Sequence, residues 1–190
     1  MRRLLAAAWL LSATAGAQKL VHSVTAPAVN APRNSSALAA LQKNIDDRLE
    51  STPRDEPFFV LVSTLGVYLE GYGTVFTTQL NLVNSANISP FKKSFTKEEK
   101  ERLRKKKADR LPMLRQSMRE LLMSSGMQLG KMPAQENVVL AISLFYYSWE
   151  NTTGLPAQIV LRASRQVLAD YQAKRINQAQ FDSSLRLQEY

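Results

Sequence analysis

Apolar positions change period twice in the first half of the chain. Leu38, Leu41, Ile45 and Leu49 recur at steps of three and four, opposite Gln42, Lys43, Asp46 and Asp47. That spacing predicts an amphipathic helix over residues 37–50, capped by Ser35 or Ser36 and closed off by Pro53 and Pro57. Residues 58–83 are rich in Val, Phe, Tyr, Thr and Leu, and beyond Gly73 the period drops to two. Phe76, Thr78, Leu80 and Leu82 point one way, while Val75, Thr77, Gln79 and Asn81 point the other. Strands are expected there, and Gly71 and Gly73 interrupt them, either as a hairpin turn or as a bulge in one long strand. At least one of these glycines is expected at positive φ, where any side chain is strained.

The period returns to 3.6 at Thr96. Thr96-Lys97-Glu98-Glu99 matches a capping box, and Glu98 to Arg102 and Glu101 to Lys105 are i,i+4 pairs in the favourable order. A long helix is expected over residues 96–125, stopped by Gly126. Pro112 should kink or restart it, since a mid-helix proline costs ~3 kcal/mol. Leu111, Leu114, Met118, Leu121 and Leu122 form its apolar face.

Residues 137–149 are almost continuously apolar and aromatic and read as a central strand, with a second strand at 157–163. Ser164 opens a helix that carries Val167, Leu168 and Tyr171 on one side. Asn177, with Gln180 three residues on, opens a short one through Phe181 and Leu185. Strands come in groups rather than alternating singly with helices. The expected fold is therefore α+β: a mainly antiparallel sheet of about four strands, packed by a long central helix plus N- and C-terminal helices.

The N-terminus follows a different logic. Arg2 and Arg3 precede an apolar stretch from Leu4 to Leu11, and Ala15-Gly16-Ala17 is a small-x-small cleavage site. This is the plan of a signal peptide over residues 1–17, with the mature chain starting at Gln18. Fourteen residues from Leu4 to Ala17 fall short of the ~20 that span a bilayer as a helix. Residues 18–36, with prolines at 27 and 32 and no steady period, read as a disordered tether. A single domain over 37–190 follows. An exported protein, periplasmic or extracellular, is expected. With no cysteine, its core has to hold without disulfide staples.

Absent residues narrow the chemistry. His22 is the only histidine and lies in the tether. Without a domain His or any Cys, Ser-His-Asp triads, Cys-His dyads, the usual zinc sites and cysteine-held clusters are excluded. Gly71-Tyr72-Gly73 lacks the third glycine of a dinucleotide fingerprint, and no phosphate-binding loop is present. Ser89-Pro90-Phe91-Lys92 and Ser94-Phe95-Thr96-Lys97 have the serine–lysine spacing of penicillin-binding enzymes but none of the accompanying motifs. No cofactor or metal is expected. Glu70 and Glu150 close strands beside aromatics, and two carboxylates facing each other across a cleft could hydrolyse a sugar. That is the alternative to a non-enzymatic reading.

Charge adds one feature. Between Lys92 and Glu120 twelve Lys and Arg stand against five acidic residues, a net of +7. The chain as a whole is +9, and +7 without Arg2 and Arg3. Lys100, Arg102, Arg104, Lys105, Lys106 and Lys107 fall all round the helix, so this end is expected to project into solvent, with Lys97, Lys100, Arg104, Lys105, Lys106 and Lys107 as its contact residues. It would meet anionic lipid, an acidic polymer or an acidic envelope protein there. Aromatics do not interleave with the charges, which argues against sequence-specific nucleic-acid binding. Changing Lys105, Lys106 and Lys107 to Glu is expected to leave folding intact. The sequence thus predicts an exported non-enzymatic binding or accessory protein.

Overall fold

The computed structural model of the chain describes residues 35–83, 94–129 and 132–190. The expected signal peptide and the body of the expected tether lie outside the described residues, as do Ser89 and Lys92. Elements follow in the order α1 (Ser35–Glu50), β1 (Phe59–Leu69), β2 (Gly73–Asn81), α2 (Lys97–Gln128), β3 (Asn137–Leu144) and β4 (Gln158–Ser164), then α3 (Arg165–Gln172), α4 (Gln178–Ser184) and β5 (Arg186–Glu189). The class is α+β, as the grouping of strands implies. The sheet order is β1-β2-β3-β4-β5, and all neighbours are antiparallel except β2 and β3. That one parallel pair exists because α2 carries the chain back along the sheet between its two strands. The fifth strand is an addition to the expected four. Its four residues carry no usable period, and only the open edge of β4 selects extended backbone there, pairing Ile159 with Glu189 through Arg162 with Arg186.

One face of the sheet and the helices share the core. Leu41, Ile45 and Leu49 of α1 and Leu114, Met118 and Leu121 of α2 are buried with Phe76, Leu80, Val138, Leu140, Ile142, Ile159 and Leu161. The period-two reading of β2 holds as far as Leu80, since Phe76, Thr78 and Leu80 are buried while Val75, Thr77 and Gln79 are half-buried or exposed; Asn81, expected on the open side, is buried.

The glycine break is a hairpin turn, with Gly71 at φ 77° and Gly73 at φ 129°. Thr96 and Glu99 form the capping box at the start of α2, and Asn177 and Gln180 form another at α4. Three boundaries differ from expectation. α1 already begins at Ser35, so Ser36 lies inside the helix. Pro112 does not restart α2, which runs through it as one helix with the proline on the exposed side. Gly126 does not stop the helix either, which runs to Gln128. A Cβ at Gly126 would stand 2.5 Å from Leu168 Cδ1, so this glycine lets α2 and α3 pack closely.

Candidate functional site

The basic helix turns part of its charge inward. Lys107 follows Leu103 by four residues and precedes Leu111 by four, so it continues the apolar stripe of α2. Its side chain is 1% exposed and that of Glu150 is 3%. Lys107 Nζ stands 2.6 Å from Glu150 Oε2, donates to the Phe145 carbonyl at 3.2 Å, and lies 4.6 Å from the centre of the Tyr146 ring. Glu150 Oε1 accepts from the Tyr147 backbone N–H at 3.1 Å. The turn after β3 is therefore wrapped around one ammonium. Burial lowers the Lys107 pKa, against the raising influence of Glu150.

Burial, with the Glu150 charge adding to it, pushes the Tyr146 phenol up to about 12 from 10.0. The phenol also donates to the Pro156 carbonyl at 2.8 Å. A raised pKa means the folded state holds this proton more tightly than the unfolded chain. The stability it contributes is complete below pH 10 and is lost as pH rises through about 12. In an absorbance titration, Tyr146→Phe should remove the latest-ionising phenol, and its stability should fall less steeply across that window. Equal slopes in the two proteins would refute the assignment.

The remaining basic residues are mostly paired as well. Arg104 meets Glu101 and the Thr153 carbonyl, Lys105 meets Asp109, and Lys106 meets Glu56 at 2.7 Å. Arg110, 6% exposed at its side chain, also reaches Glu56 and lies 5.1 Å from the Phe58 ring. Lys97, Lys100 and Arg102 have no acidic partner among the described residues. The expectation that this end projects bodily into solvent is corrected for Lys107. The long lysine stem crosses apolar surface, and Glu150, distant in sequence, neutralises its head.

The two carboxylates of the hydrolase reading are not brought together. Glu70 sits in the β1–β2 turn, where Gly73 pairs with Asn137 at the start of β3. Glu150 lies in the turn past the far end of β3, so the two sit at opposite ends of a strand of seven steps, roughly 23 Å long. Glu150 also spends both oxygens on Lys107 and Tyr147. A different carboxylate lies near Glu70. Glu136, 4% exposed, accepts from the Tyr68 hydroxyl at 3.0 Å and the Gly71 N–H at 3.1 Å, and its Oε2 is buried without a hydrogen-bond partner. Burial and that carboxylate push the Tyr68 phenol up. No group of three or more metal-ligating side chains occurs among the described residues.

The aromatics after β3 occupy one another. Trp149 stacks on Phe95, with centroids 3.9 Å apart and nearly parallel, and lies nearly parallel to Tyr147 at 5.6 Å, while Phe145 packs edge-on to Tyr147. The indole is thus engaged with rings of its own chain. The stack fastens the turn to the segment ahead of α2.

What remains unpaired is the first strand. β1 is an edge strand that pairs only with β2 among the described residues. Its eleven residues include no charged side chain and no proline. Phe59, Leu61, Val62, Leu65, Val67 and Leu69 are all between 39% and 65% exposed. Leu65 pairs with Thr77 and Val67 with Val75, on the face turned away from the helices. Exposure fades toward mid-sheet, where Val139 is at 4% and Ala141 at 9%.

Natural edges are normally kept short, charged or bulged, as unprotected ones template pairing with another chain. The β5 edge obeys this, being four residues long with Arg186 and Glu189. The first half of β1 obeys it too, through register shifts between Val60 and Leu65. There Asp46 accepts hydrogen bonds from the Thr64 N–H and hydroxyl. From Leu65 to Leu69 the ladder is regular and carries no such device.

No known protein family matches the chain, nor does any curated protein or solved structure.

Proposed function

We propose that this is an exported, non-catalytic accessory protein that works by associating with another polypeptide through the exposed β1 edge. The observation that carries the reading is the regular, charge-free half of an edge strand with half-exposed leucines and valine. In water such an edge is driven to be covered, because strand pairing and apolar burial both favour it. Export is supported by the charge, apolar length and small residues of the first seventeen positions. The basic helix is a secondary contact in this reading. Lys97, Lys100 and Arg102 are its available cations, interleaved with Glu98, Glu99 and Glu101, and that mixture weakens its pull on an anionic surface.

One experiment tests both halves of the proposal. A photo-reactive benzophenone side chain is placed at Leu65, the native host is irradiated, and intact adducts are weighed from its envelope. The expected species starts at Gln18 and is joined to a polypeptide. A chain that still carries residues 1–17 would overturn export. Adducts with lipid alone, or none, would overturn association through β1.

A further inference from the structure

We propose that the partner of β1 is β1 of a second copy of this chain, the two strands pairing antiparallel about a two-fold axis at Val67; this rests on the association reading and names its partner. The regular half of the strand, Leu65-Gly66-Val67-Tyr68-Leu69, is complementary to itself about its centre. Pairing it with its own copy sets Leu65 against the second copy's Leu69, and Val67 against itself. Leu65, Val67 and Leu69 are 65%, 53% and 47% exposed and share the open face, so each meets an apolar partner. On the other face Tyr68, whose hydroxyl is held by Glu136 of its own copy, falls opposite Gly66, over which Leu38 and Phe76 pack. Two sheets of five strands become one of ten, and the regular half of each β1 edge is closed.

The contact is short, and charge permits it. Pairing about Val67 covers Leu65, Val67 and Leu69, while Phe59, Leu61 and Val62 lie beyond the turn that ends the second copy's β1. Three side chains and five residues of backbone fall below the roughly 800 Å² per partner of a standard interface, so the backbone ladder carries much of the pairing. A chain of net charge +9 repels its copy, but a net +5 of it, ten Lys and Arg against five acidic residues, lies on α2, which packs on the opposite face of the sheet. Arg162, the open-face cation on β4, is three strands from β1, roughly 14 Å. Lipid is the poorer occupant, because hydrocarbon cannot satisfy the unpaired N–H and C=O groups of an open strand edge.

The absence of native cysteine makes the test clean, since a single introduced thiol reports alone. Opposed residues of an antiparallel pair have Cα atoms about 4.5–5.5 Å apart, within reach of a disulfide. Mild oxidation should convert most of Val67→Cys into a covalent dimer, while Ala179→Cys, at an exposed position of α4, stays monomeric. In sedimentation at micromolar concentration the wild type should show twice the chain mass. Val67→Lys should be a folded monomer, and mixing it with Val67→Glu should restore the dimer.

A monomeric wild type, a dimer that survives Val67→Lys, or equal oxidation of the two cysteine variants would each overturn the pairing. Should Val67→Lys fail to fold, the wild-type mass and the cysteine comparison still decide. A monomer whose Leu65 adduct in the envelope is a different polypeptide overturns the two-fold pairing and leaves association through β1 standing. A monomer with no such adduct overturns both.

Discussion

Replacing Lys107 with Met is expected to destabilise the fold by about 3–5 kcal/mol, because the variant leaves the Glu150 carboxylate buried without its cation. The pair does not stabilise by Coulomb attraction alone. Taking two charges out of water costs nearly what their attraction returns, so the penalty for breaking the pair exceeds the net contribution of keeping it. For a domain of this size the loss corresponds to a fall in melting temperature of roughly 10 °C or more. Glu150→Gln should be comparably harmful, since it strands the ammonium. The double variant Lys107→Met with Glu150→Leu should recover most of the loss, because two apolar side chains can fill the space with no charge to solvate. Thermal melts of the three variants decide it. Additive losses in the double variant would show that the two residues act separately. Lys107→Glu should be worse than Lys107→Met, as it sets two carboxylates side by side in the core. A charge-reversal test of the basic helix therefore belongs at Lys97, Lys100 and Arg102, away from the buried pair.

Gly73→Ala should cost roughly 3 kcal/mol or more, while Gly71→Ala, two residues away, should cost about 1 kcal/mol. Both glycines have positive φ, at 129° and 77°, so backbone strain alone does not separate them. Their surroundings do. A Cβ at Gly73 would lie 1.9 Å from the Asn137 carbonyl oxygen, whereas nothing lies within 4 Å of one at Gly71. Asn137 donates its backbone N–H to the Tyr72 carbonyl at 2.8 Å and its side-chain amide at 3.1 Å, so the turn and the start of β3 are stitched together there. An alanine at 73 has to part β2 from β3 at the head of their parallel ladder. Denaturant unfolding of the two variants compares them directly. Equal losses would mean that φ, and not the close approach of two strands, is what selects glycine at 73.

Much of this fold is legible wherever the cause is local. The capping box at Thr96 and Glu99 and that at Asn177 and Gln180 use bonds that span three residues, and both form as read. The alternation through β2 and the apolar stripe from Leu111 to Leu122 are likewise one-element patterns. The candidate sites fared differently. Glu70 and Glu150 each end a strand beside aromatics, yet strand order and the parallel β2–β3 step place them at opposite ends of the sheet. Glu136 escaped notice because its partners, Tyr68 and Gly71, are more than sixty residues away. For Lys107 a signal was available. Its spacing from Leu103 and Leu111 marks an inward position, although cations lie on every side of the helix around it.

Local signals in the chain set the α+β class, the break at Gly71 and Gly73, the starts of α2, α3 and α4 and the absence of thiol or imidazole chemistry in the domain. Each depends on backbone preference, side-chain period or residue type, and these act within a few positions. Only the tertiary structure decided that Lys107 is buried against Glu150, that residues 186–189 become a strand, and that the apolar side chains of β1 remain at an edge. Those outcomes depend on which segment arrives beside which. A lysine is core or surface according to whether a carboxylate from another loop meets it. A charge-free strand is a sheet's centre or its open margin according to how many neighbours pair with it.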